Sequence, residues 1–233
     1  MHRTYLLVLF CFIVPFSTGC DPRRNMTPKQ IVDSPSGFHF SENEYPIASA
    51  TVAGWLNDPD WCDEFNNGKG KSLQWSLEIV GASIPADDLG SPRVTFDGLD
   101  IDVARWQDLD GFNQSWSDWK NHRTGDQYAR TYHSGHDPVE LGELRVIARH
   151  QDQFRVAAHG GMQNTTPFEL DATFTFMKIT VIGNAMDDQK SLQQRLDDAL
   201  PDNDLVLSTF ERKVVGDRKL ATATFVPPQT EGK

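Results

Sequence analysis

Cysteine is scarce in this chain, three in 233 residues, and its scarcity excludes a disulfide scaffold. Cys11 lies in an N-terminal apolar run and Cys20 follows just after it, so Cys62 stands alone in the rest of the chain and the fold must rest on its core. The length suffices, since a domain of ~150 residues already buries about 68–70% of its unfolded surface. Cys62 sits between Trp61 and Phe65, which reads as a buried small hydrophobe, and the nearby Asp60, Asp63 and Glu64 would raise its pKa rather than activate it. Positive charge is also short: 22 Lys and Arg against 33 Asp and Glu give a formal charge of −11. A surface of that sign repels phosphate backbones and anionic lipid headgroups and argues against nucleic acid as a partner, while divalent cations, basic proteins and neutral glycans stay compatible. No apolar run reaches the roughly 20 residues that a membrane-spanning helix needs. Signature motifs are missing too. There is no G-x-S-x-G nucleophile elbow, no H-E-x-x-H zinc pattern and no internal repeat.

What is present begins at the N-terminus. Arg3 precedes the apolar stretch Tyr5–Phe16, the charged and hydrophobic regions of an export signal. Ser17-Thr18-Gly19-Cys20 follows, and it resembles the lipobox of bacterial lipoproteins. The resemblance implies cleavage after Gly19, acylation at Cys20, a membrane partner reached through the lipid, and a domain facing the periplasm or cell exterior. At about 0.8 kcal/mol per buried methylene, several acyl chains anchor permanently. Losing Arg3 leaves 21 basic against 33 acidic side chains, a net charge of −12. Residues 21–37 are polar and carry Pro22, Pro28 and Pro35, which is tether composition. The expected organisation is therefore a signal over 1–19, a lipidated cysteine with a flexible tether over 20–37, and one domain over 38–233.

Within that domain the dominant period is two. Leu73, Trp75, Leu77 and Ile79 alternate with polar residues, as half-buried strands do. Val94 and Phe96 alternate likewise, then parity jumps at Asp97-Gly98, which predicts a bulge or tight bend. Leu144, Val146 and Ala148 match Phe154, Val156 and Ala158 across Gln151-Asp152, a hairpin pattern. Phe168 to Phe176 is the longest alternating run; Met177, Ile179 and Val181 continue on the opposite parity, so this strand is either bulged near Met177 or buried on both faces. Helical spacing governs about 188–200, where Leu192, Leu196, Ala199 and Leu200 share a face, Asp188 or Asp187 caps the start and Pro201 stops it. Two further strands, about 204–215 and 219–226, flank Gly216-Asp217. Many short strands with one helix predict a mainly-β fold, an antiparallel sandwich or open barrel. Residues 104–138 have no period and read as a long excursion, and loops of that length commonly carry function.

Candidate chemistry collects in that excursion. Trp106, Trp116 and Trp119 lie among Asp108, Asp110, Asn113, Gln114 and Asp118, the mixture of aromatic faces and polar side chains with which proteins hold sugar rings. The competing reading puts Trp75 and Trp106 in the core and lets the others pin the loop. Asp108-Leu109-Asp110-Gly111 lacks the third oxygen ligand and the distal glutamate of a calcium loop, so it reads as a solvated acidic face. His133, His136 and Asp137 could grip a metal if the chain turns at Ser134-Gly135, with His150 or His159 as a further ligand. The sequence thus leads to a membrane-anchored, extracytoplasmic lipoprotein serving as a non-catalytic binding or envelope-structure module, with a glycan or protein ligand and no required cofactor. Two alternatives stand beside it: a metal-assisted hydrolase of an envelope polymer, and an inhibitor-like lipoprotein that neutralises a basic protein.

Overall fold

Period-two alternation wins over most of the chain, and the strands it makes join into one curled sheet, an open half-barrel that is 50% strand and 15% helix. The computed structural model describes residues 22–85, 90–133, 135–161 and 167–228. The expected export signal over 1–19 and Cys20 lie outside them.

A 3-10 turn (Pro22–Asn25) and a short helix, α1 (Pro28–Val32), come first. Then follow β1 (Gly37–Phe40), β2 (Asn43–Glu44), β3 (Ile47–Leu56), the helix α2 (Pro59–Phe65), β4 (Gln74–Gly81) and β5 (Arg93–Leu99). A second 3-10 turn (Trp106–Leu109) leads to β6 (Asn113–Trp116), β7 (Arg130–Tyr132) and β8 (His136–Pro138). The hairpin β9 (Leu141–His150) and β10 (Gln153–Gly161) precedes the long β11 (Phe168–Asn184), the helix α3 (Gln189–Ala199) and a last hairpin, β12 (Val206–Val215) and β13 (Arg218–Val226). Across the sheet the order is β6-β9-β10-β11-β3-β4-β5-β7-β8; β13 pairs with the far end of β11, and β1 with its near end. All pairings are antiparallel except β3 with β11, which run parallel where the two halves of the chain meet.

The mainly-β expectation holds, as an open half-barrel rather than a sandwich of two sheets. The parity jump in β11 is a bulge: the register against β3 shifts between Phe176 and Lys178, and Met177 is turned outward, about half exposed. Phe168, Leu170, Ala172, Phe174 and Phe176 thus point inward before the bulge, and Ile179 and Val181 after it. Asp188 is the residue that caps α3, accepting from Ser191 N at 2.8 Å, and Leu192 and Leu196 bury fully beneath it. Each buried leucine contributes about 1.5–3 kcal/mol. Arg195 fixes the helix by donating to the Ile182 carbonyl at 2.8 Å and the Asn57 carbonyl at 2.6 Å; burial pushes its pKa down.

Two segments differ from the sequence reading. The excursion 104–138 is sheet in part: β6 extends one edge beside β9, and β7 and β8 extend the other beside β5. Strands of three and four residues are too short to display a period. The two edges also approach each other. Pro138 ends β8 and Leu141 begins β9, three Cα steps apart, so strands from opposite ends of the sheet order lie within about 11 Å. Val139 sits in this seam, donating to the Ala129 carbonyl at 3.0 Å and accepting from Trp116 Nε1 at 3.0 Å.

The second difference is in residues 22–36, expected as tether. Here α1 has a capping box, in which Thr27 N donates to Gln30 Oε1 at 2.8 Å and Gln30 N donates back to Thr27 Oγ1 at 3.3 Å. Val32 is buried. Arg155, 3% exposed, donates to the Ser34 carbonyl at 2.8 Å and the Pro35 carbonyl at 2.7 Å while pairing with Asp171. The segment has no periodicity of its own because a side chain more than a hundred residues away holds it.

Candidate functional site

Of the three tryptophans expected at a binding surface, two belong to the core. Trp106 stacks on Phe176 with centroids 4.5 Å apart and donates to Asp204 Oδ1 at 2.7 Å. Trp116 stacks on Tyr128 at 5.4 Å, meets Phe96 edge-on at 6.3 Å and is 7% exposed. Both indole N–H groups are satisfied internally, so neither ring is free to meet a ligand. Trp119 is different: it is 41% exposed.

Trp119 opens a tight ladder that ends at Tyr128. Tyr128 N donates to the Trp119 carbonyl at 3.0 Å, Lys120 bridges Gln127, and Asn121 N donates to the Asp126 carbonyl at 2.8 Å. Gly125 makes the turn at φ 84°, a value that disfavours any side chain. The buried Asn121 moors the ladder to β5 through the Gly98 carbonyl at 3.1 Å, and Asn66 reaches the Thr124 carbonyl at 2.8 Å. A loop held this firmly would lose little freedom on meeting a ligand.

Between this ladder and the β7–β8 hairpin lies a shallow cleft of about 340 Å³, lined by Trp119, Gly125, Asp126, Gln127, Arg130, His136 and Pro138. It joins a residue from each sequence expectation, Trp119 from the aromatic set and His136 from the metal set. Arg130 stands between two carboxylates, 3.7 Å from Asp126 and 3.8 Å from Asp97, too far for hydrogen bonds, and its buried Nε has no partner. Its charge is balanced, and about a third of its side chain is exposed where it lines the cleft. Burial pushes the Asp126 carboxyl above the usual aspartate range; Arg130 opposes that shift and Asp97 adds to it.

The expected metal set is split. His133 packs edge-on against Phe40 and Tyr45, at 5.1 and 6.0 Å, whereas His136 lies on Tyr132 at 4.3 Å and faces the cleft. Asp137 is exposed on β8. His150 and His159 are on β9 and β10. Among the described residues no three His, Cys, Asp or Glu side chains converge as a metal site. Two of the acidic side chains are held by arginines: Arg105 holds Asp108 at 2.7 Å and its carboxyl below the usual range, and Arg123 holds Asp100 at 2.9 Å. Cys62 is a buried free thiol whose pKa is raised first by burial and then by Asp58.

Asp126, Gln127 and Arg130 were not singled out by sequence. The signal that marks them is slight, a Gly125 turn flanked by residues able to pair across it. The chain matches no family model, no curated protein and no solved structure.

Proposed function

We propose that the protein is a lipid-anchored, extracytoplasmic binding module without catalytic chemistry, and that its ligand is a saccharide held in the cleft. The single observation behind this is an exposed Trp119 ring beside Asp126, Gln127 and Arg130. In this reading the indole covers the C–H face of a pyranose, the carboxylate accepts from ring hydroxyls, and the amide and guanidinium donate to them. The site's openness suits one or two units of a polymer rather than an enclosed small molecule. An acidic chain docked on an envelope by lipid gains effective concentration toward such a polymer through tethering.

The test is retention of the lipidated full chain, in detergent, on immobilised envelope and plant polysaccharides. Wild type is expected to be retained by at least one, and Trp119→Ala to lose about tenfold or more in affinity, roughly 1.4 kcal/mol. Retention unchanged in Trp119→Ala would remove the cleft from the reading. Elemental analysis of the same preparation addresses the hydrolase alternative, and one zinc per chain would replace binding with metal-assisted hydrolysis around His136. Salt-sensitive capture of a basic protein, with no glycan retained, would favour the inhibitor alternative instead.

A further inference from the structure

The N-terminal segment leads to an inference that rests on the lipid-anchor reading and extends it. A free tether from Cys20 to Ser36 would let the domain wander up to roughly 55 Å from its anchor. The described chain begins at Pro22, however, and from there it is fastened to the outer face of the sheet. Arg23 Nη2 pairs with Asp171 at 3.0 Å on β11. The capped helix α1 packs over β9 and β10. Thr173 on β11 donates its hydroxyl to the Val32 carbonyl, and its N–H donates to Ser36 Oγ at 3.2 Å. Arg155 completes the fastening through Ser34, Pro35, Ser36 and Asp171, with almost none of its side chain left in water. A covered guanidinium that donates to two backbone carbonyls of the strap is costly to release, because release gives up both charge-assisted hydrogen bonds.

We infer that residues 22–36 are a strap and not a tether, and that the strap holds the domain in one orientation against the phospholipid headgroups. Only Asp21 separates Cys20 from Pro22, so the acylated residue lies within about 7 Å of the fastened segment. The anchor therefore brings the outer face of β9, β10 and β11 to the bilayer. The strap's chemistry fits that partner. In a chain of net charge −11, the strap carries Arg23, Arg24 and Lys29 against the one acid Asp33, and Arg24 and Lys29 are exposed. Cations next to an acyl anchor are the second signal that stabilises lipid-chain attachment on anionic membranes.

The experiment uses the lipidated full chain in nanodiscs of zwitterionic lipid with a fifth of anionic lipid. Asp217→Cys in the β12–β13 turn carries a donor fluorophore, the acceptor is in the headgroup layer, and buried Cys62 stays unlabelled. Wild type is expected to give one narrow donor–membrane distance. Arg155→Ala broadens and lengthens it, and exchange protection of residues 23–36 falls at least tenfold. Inserting eight Gly/Ser residues between Asp21 and Pro22 broadens the distance with stability and protection unchanged, which keeps the test sound if Arg155→Ala misfolds. A wild-type distribution as broad as that of the insertion variant overturns the strap while leaving lipidation intact. Absence of an acyl chain on Cys20 by mass spectrometry overturns the anchor reading itself and the membrane contact with it.

Discussion

At the residue scale, tryptophans alike in sequence separate by where their N–H groups go. Trp116 gives its proton to the Val139 carbonyl and stacks on Tyr128, so Trp116→Ala opens a cavity and is expected to cost about 3–5 kcal/mol in urea unfolding. Trp119→Ala is expected to leave the unfolding midpoint nearly unchanged and to act on ligand retention alone. Asp126 adds a pH dependence. Its folded pKa is raised, so its contribution to stability is present below the ordinary aspartate range and is lost as pH rises through the folded value. Binding runs the other way: as pH falls, the carboxylate protonates earlier than an ordinary aspartate and retention drops with it. Titrating retention for wild type and Asp126→Asn checks this, since the variant should lose that step. Cys62, buried with a raised pKa, is expected to resist maleimide in the native protein and to react once urea is added.

At the element scale, strands with a long alternating run were legible and short ones were not. Leu144–Ala148 against Phe154–Ala158, the bulge alternative at Met177 and the spacing of Leu192 and Leu196 all carried their signal locally, because inward and outward positions differ in polarity over many residues. The strands β6, β7 and β8 gave no such signal, and neither did the strap, whose partner Arg155 lies far along the chain. For the same reason two of the site's key groups, Asp126 and Arg130, escaped notice: a short ladder and a hairpin unite them, not a motif. One local rule was present but unread. Gly142 and Gly160 face each other across β9 and β10, and a Cβ on Gly142 would stand 2.6 Å from the Trp116 ring and 2.8 Å from the His159 carbonyl oxygen. Gly142→Ala is therefore expected to destabilise by about 1–3 kcal/mol through overpacking, measured as a lowered urea midpoint without change in slope.

For the whole molecule, the seam at Val139 joins the two ends of the sheet through partners close in sequence, since Trp116 lies 23 residues away. The centre is the opposite: the parallel pairing of Thr51 with Thr175 unites segments over a hundred residues apart. Loop-closure entropy makes such a distant pairing slow to form, whereas the seam closes a short loop. Folding should therefore run from the rim inward. Pulse-labelled hydrogen exchange is expected to protect Val139 and Trp116 ahead of the amides that bond across the parallel β3–β11 pairing. Until β3 and β11 meet, the intermediate is a clasped hoop with an unjoined middle, and its bare strand edges are the place where two folding chains would tangle.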